Sequence, residues 1–265
     1  MSHEFSFLKN NSSNLDFGKT AKDYAKFRQG FPQRFFNELI LKEIIHSDQT
    51  ILDIGTGTGT IARGFAKFDC KLFAIDPKEA MLKEAEKLSK EEKLNIHYQV
   101  GSAEDTHMQD NQFDVVIAGQ CWHWFDHSEA IKEIKRILKP DGYLIIAHYD
   151  WLPLKDSVPQ LSEQFILKYN SNWQGNNGNG FYPQWVTMLA ENNFKNIETF
   201  SFDHLASYTH KAWLGRIRAS AGVGGTLNKD EVEIFDAEHK YFLNKQFPQK
   251  ELEILHRCFV VIARV

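Results

Sequence analysis

Residues 51–60 read ILDIGTGTGT. Three glycines, Gly55, Gly57 and Gly59, alternate directly after an apolar run that holds one carboxylate, Asp53. A strand, a Gly-rich turn and a helix start leave backbone N–H groups free for a nucleotide. A second acid, Asp76, lies 21 positions after Gly55, at the end of KLFAI. A carboxylate there accepts hydrogen bonds from both hydroxyls of a ribose, so the spacing points to an adenosine-type cofactor. The dinucleotide fingerprint G-x-G-x-x-G/A fails at Thr60, and Asp53 would repel a pyrophosphate. S-adenosylmethionine carries two positive groups against one carboxylate, so the same acid attracts it. The competing reading of Asp53 is a satisfied polar residue at a strand end.

These residues need elements to position them. FPQRFFNELILKEIIH (31–46) has helical spacing. TILDI (50–54) is a short buried strand, the glycine loop follows, and a helix runs over about 61–67. Strands are expected at 71–75, 95–100, 114–119 and 142–148, with helices at 77–90 and 127–139. This alternation predicts a parallel sheet covered on both faces. Residues 151–182 contain WQGNNGNGFYP, which reads as a loop or lid hinge. Helices are expected at 182–193, 211–223 and 229–245, with strands at 196–205 and 253–265.

ILDIGTGTGT, FAIDPKEAML, GSAED, QFDVVIAGQCWHWFD and ILKPDGYLII resemble, in that order, the motifs of class I S-adenosylmethionine-dependent methyltransferases. YAKFRQGFP, HWF and WLGR are similar to the type 11, trans-aconitate methyltransferase-like branch. The resemblance covers about residues 50–148. It implies an α/β, Rossmann-like fold: a seven-stranded mostly parallel sheet with an antiparallel last strand and helices on both faces. The chain is treated as one methyltransferase domain, with an N-terminal lid arm (1–33), a cofactor core (34–150) and an acceptor-side segment (151–265).

Gly55, Gly57 and Gly59 are expected to wrap the methionine part of the cofactor, with Asp53 nearby. Asp76 is expected at the ribose, Pro77 and Met81 at the adenine, and Ser102, Ala103 and Glu104 at the adenine edge. Gln120 is assigned to the methionine end. Tyr24 and Arg28, four apart, share a helix face, where Arg28 neutralises the cofactor carboxylate and Tyr24 covers it. His123 is the candidate base, and Trp124 and Arg216 are candidate acceptor contacts. Arg216 suits bidentate pairing with a carboxylate.

The acceptor is expected to be a small molecule, with carboxylates among the candidates. Net charge is −4, with no basic excess for nucleic acid. The [DNS]-P-P-[YFW] motif of base methyltransferases is missing from AGQCWHW. A protein methyltransferase and a non-enzymatic S-adenosylmethionine-binding protein are the alternatives. No metal is expected, because the eleven histidines form neither H-x-x-x-H nor H-E-x-x-H. Three separated cysteines suit a reducing cytoplasm. The N-terminus is not expected to be a secretory signal, nor any run to span a membrane. Either a monomer or a homodimer fits.

Overall fold

The computed structural model describes residues 21–265, with the Lys22 side chain excepted. Of the arm read at 1–33, residues 1–20 lie outside the described residues.

The chain forms two compact units. The larger comprises Gly30–Tyr149, Tyr182–Phe202 and Cys258–Val265; the smaller comprises 21–29, Asp150–Phe181 and Asp203–Arg257. In chain order the elements begin with α1 (Ala21–Phe27), α2 (Gln33–Leu41), β1 (Thr50–Ile54), α3 (Thr60–Phe65), β2 (Lys71–Asp76), α4 (Glu79–Glu91) and β3 (Ile96–Val100). Next are β4 (Phe113–Gly119), α5 (His127–Ile137), β5 (Leu138–Trp151), α6 (Val158–Tyr169) and α7 (Pro183–Glu191). The chain closes with β6 (Lys195–Thr209), α8 (His210–Arg218), α9 (Lys229–Gln246) and β7 (Glu251–Arg264).

The strands form one seven-stranded sheet, ordered β3-β2-β1-β4-β5-β7-β6. It is mostly parallel, with the last strand antiparallel. The first five strands pair in parallel, β1 lying between β2 and β4. Alternation along the strands sorts their side chains onto two cores. Leu52, Ile54, Val116, Ala118, Leu144 and Ile146 face α5 and α7. Ile51, Val115, Ile117, Ile145 and Ala147 face α2 and α3. A separate core of Trp213, Ile217, Phe235, Leu243 and their neighbours fills the smaller unit.

Several boundaries differ from the sequence expectation: the helix read at 211–223 ends at Arg218, the strand read at 196–205 runs on to Thr209, and three others have a clear local cause. The helix read at 31–46 stops at Leu41, because Glu43 takes φ 56° and the Ile44 and Ile45 amides turn back to the Leu39 carbonyl. The strand read at 142–148 begins at Leu138, which pairs with Phe113 across a register shift. Residues 151–182 are not wholly loop: Val158–Tyr169 is helical, capped by Ser157, whose hydroxyl accepts from the Gln160 amide.

Candidate functional site

The order β2-β1-β4 makes β1 and β4 the strands at which the chain reverses direction across the sheet, and ligands of such sheets bind at their carboxyl ends. At that end β1 runs into the glycine loop. Gly55, Gly57 and Gly59 all have positive φ, at 65°, 55° and 77°. Two of them are also fixed by the protein itself. A Cβ on Gly55 would lie 2.9 Å from the Cys121 side chain, and one on Gly59 would lie 2.6 Å from the Tyr98 hydroxyl. Cys121 further donates its thiol to the Ile54 carbonyl at 3.1 Å, and Tyr98 shares a 2.8 Å bond with Ser89.

Asp53 is buried and engaged. One of its carboxylate oxygens accepts the Thr56 hydroxyl at 2.6 Å and the Ala62 amide at 3.1 Å. It therefore ties β1 to the loop and to the first turn of α3. Burial pushes its pKa up to about 7 against those bonds, with Asp76 adding a further rise. A group titrating near neutrality is a weaker charge than the sequence suggests, so the electrostatic argument for Asp53 loses force. Asp53 instead braces the loop.

Asp76 ends β2 and faces the same loop. Its carboxylate accepts the Gly57 amide at 2.9 Å on one oxygen and the Lys78 amide at 2.8 Å on the other. Each oxygen keeps a lone pair beyond these bonds. Burial raises its pKa, while the Lys78 and Gly57 amides and the Lys78 charge lower it. Pro77 is exposed beside it, whereas Met81 is buried on the inner face of α4 with Leu82 and Ala85.

The remaining sequence candidates of the larger unit lie near strand ends. Ser102 and Asp105 close a turn on each other. Ala103 is in the core, and Glu104 accepts the Asp126 amide at 2.8 Å ahead of α5. Gln120 follows β4 in the left-handed region, φ 62°, with its side-chain amide donating to the Tyr149 carbonyl. His123 and Trp124 sit in a single 3-10 turn, Trp122–Trp124, their rings 4.5 Å apart. His123 Nδ1 lies 3.4 Å from Nε2 of His148 on β5. Tyr182 and Trp185 pack on His148, with ring centroids at 4.6 and 4.8 Å.

Tyr24, Arg28 and Arg216 belong to the smaller unit. There the Arg28 guanidinium covers the Tyr24 ring at 4.5 Å, one turn apart as expected. Arg216 is buried over the Trp151 ring at 4.6 Å.

Thr56, Tyr98, Cys121 and His148 were not singled out from the sequence. Tyr98 alternates inward along β3, and Thr56 sits among the glycines, so both carried a signal. Cys121 and His148 carried none, because their contacts join distant strands. Among the described residues no group of three or more His, Cys, Asp or Glu side chains is placed to hold a metal ion. No described helix is long and apolar enough to cross a membrane.

Comparison with known proteins bears on this loop. Residues 52–146 match a family described as a methyltransferase domain. An uncharacterized methyltransferase of Schizosaccharomyces pombe is 34% identical over 147 residues, 54% of this chain and 56% of that protein. One from Mycobacterium tuberculosis is 29% identical over 130 residues, 49% of this chain and 50% of its own length. The chain thus spans about half the length of the curated relatives it matches. In structure it is similar to the YcgJ protein of Bacillus subtilis, with TM-score 0.56, 17% identity and coverage of 87% and 98% of the two chains. It is also similar to the phosphoethanolamine N-methyltransferase 2 of Haemonchus contortus, solved with S-adenosyl-L-methionine (TM-score 0.54, 23% identity, 98% and 60% covered). Residues 52–146 are thus similar to a methyltransferase domain, and the fold as a whole is similar to that of solved methyltransferases.

Proposed function

We propose that this chain is an S-adenosylmethionine-dependent methyltransferase of the type 11, trans-aconitate methyltransferase-like branch, acting on a small molecule that carries a carboxylate. The observation that carries the reading is Asp76, held against the Gly57 amide within the segment that matches a methyltransferase domain. The donors and acceptors present suit the cofactor. Asp76 retains lone pairs for ribose hydroxyls, and the left-handed glycines keep side chains out of the loop. When bound, S-adenosylmethionine supplies an electrophilic methyl on a sulfonium.

The chain's own residues do the rest. Asp76 holds the ribose, the backbone of the Gly55–Gly59 loop lies along the methionine part, and Asp53 keeps that loop in shape. Pro77, with Met81 behind it, flanks the adenine, and the turn at Ser102–Glu104 meets its edge. Gln120 approaches the methionine end. His123 takes a proton from an alcohol or amine acceptor, and an ionised carboxylate acceptor needs no such step. The aromatic neighbours of the His123–His148 pair exclude water, which favours a displacement that disperses charge. Trp124 contacts the acceptor.

The test is calorimetric titration of S-adenosylmethionine and NAD, followed by labelled-methyl transfer to a panel of small acids, phenols and amines. The methyl donor binds and NAD does not. Asp76→Asn, which keeps an acceptor for Gly57, weakens the donor by about 1–3 kcal/mol. NAD binding with no donor binding, or an unchanged donor affinity in Asp76→Asn, rejects the reading.

A further inference from the structure

The sequence holds two Asn-Gly pairs, both in one loop: Asn177–Gly178 and Asn179–Gly180. An asparagine before a glycine is prone to cyclise, because no Cβ on the glycine shields its amide nitrogen from the preceding side chain. Exposure does not separate the two pairs, since both asparagines face solvent. Their bonds do.

Asn179 is held on several sides. Its side-chain oxygen accepts the Phe181 amide at 2.9 Å, an Asx turn. Its carbonyl accepts from Nη1 of Arg257, on β7, at 3.1 Å. Arg257 is itself fixed by both carboxylate oxygens of Asp203, on β6, at 2.7 and 3.0 Å. Gly180 is buried against the same arginine, where a Cβ would lie 2.8 Å from the Arg257 Cβ. The Asn179–Gly180 peptide therefore has no room to swing its nitrogen onto the Asn179 side chain.

Asn177 is anchored at its near end, where its backbone amide donates to Glu163 of α6 at 2.8 Å. Beyond that anchor the peptide is open. Gly178 is exposed, its amide donates to no described group, and nothing lies within 4 Å of where its Cβ would be. Among the described residues the Asn177 side chain bonds Asn176 alone, at 2.6 Å, a surface contact that water replaces at little cost.

We propose that Asn177 is a site of spontaneous deamidation and that Arg257 protects Asn179 from the same reaction. The Gly178 nitrogen loses its proton and attacks the side-chain carbonyl carbon of Asn177. A C–N bond forms, the bond to Nδ2 breaks, and that nitrogen leaves as ammonia. Water then opens the cyclic imide at either carbonyl, giving aspartate or isoaspartate. Nothing is oxidised or reduced, and water is the co-reactant. The new carboxylate arises beside Glu163, where like charges repel, so the product loosens the loop from α6. This site stands independently of the methyltransferase reading.

The experiment is incubation of the full chain at mildly alkaline pH, with peptide mapping by mass spectrometry over time. Fragment masses separate the two positions, and chromatography separates aspartate from isoaspartate. Asn177 converts about tenfold or more faster than Asn179, the factor set by first breaking one or two hydrogen bonds. In urea the two rates converge. Gly178→Ala slows conversion at Asn177, and Arg257→Gln speeds it at Asn179. Asn177→Asp, a stand-in for one product, is cut by protease within 172–178 faster than the parent. Equal rates in the folded chain, faster conversion at Asn179, or no conversion at Asn177 overturns the proposal. If Arg257→Gln does not fold, the comparison in urea decides whether the fold protects Asn179. Cutting of Asn177→Asp at the parent's rate overturns the loosening of the loop.

Discussion

Asp53 sits on β1 with its carboxylate closed off by Thr56 and Ala62. Its pKa is raised to about 7 in the fold, from an ordinary value of 3.8. Between those values the folded chain holds a proton that the unfolded chain has released. Asp53's contribution therefore falls as pH rises from 3.8 to 7 and is level above that, at about 1 kcal/mol per pH unit. Asp53→Asn retains an oxygen for both donors and cannot titrate. The expected outcome is that urea midpoints of variant and parent diverge between pH 5 and 7, the variant gaining relative stability as pH rises. Parallel curves would refute it. The loop, its three glycines and Asp76 were legible in the sequence because spacing alone specifies them. The task of Asp53 was not, because a residue type shows a charge and hides its burial and its partners.

At the scale of elements, β3 supports the loop through Tyr98, whose hydroxyl fills the space beside Gly59. Gly59 also starts α3 at φ 77°, which an alanine tolerates poorly. Gly59→Ala is expected to lower unfolding free energy by about 2 kcal/mol. Adding Tyr98→Phe restores the steric part of that loss and leaves the backbone part, as denaturant titration of the single and double variants would show. Most elements were readable from apolar period and punctuation, as for α5 with Ala130, Ile131, Ile134 and Ile137 turned inward. Helix α6 escaped because its buried face is partly polar. Ser162 takes the Trp213 indole at 2.9 Å and meets His239 at 3.1 Å, while Glu163 serves Trp151. Buried Ser and Glu break the apolar period that marks a helix.

At the scale of the whole molecule, two buried histidines of the smaller unit respond to acid in the opposite sense to Asp53 of the larger. The smaller holds His239 and His256, whose pKa values burial lowers to about 3 and about 4. Each is neutral in the fold, so the stability it contributes is complete above about pH 6.5 and drains as pH falls toward those values. Asp53, in the larger unit, works the other way over the same range. Acidification from pH 7 to 5 is thus expected to expose amides of the smaller unit to hydrogen exchange before those of the larger. Equal loss of protection in both would contradict the assignment. The two returns of the chain, Tyr182–Phe202 and Cys258–Val265, were not legible, because strand neighbours distant in sequence leave no local pattern.

The bond from Gly57 to Asp76 closes a backbone amide onto the very group proposed to hold the ribose. The cradle is thereby preorganised: its loop is already ordered when a ligand arrives, and little conformational entropy is lost on docking. A molecule that displaced the Gly57 amide from Asp76 would have to dismantle the cradle in order to enter it.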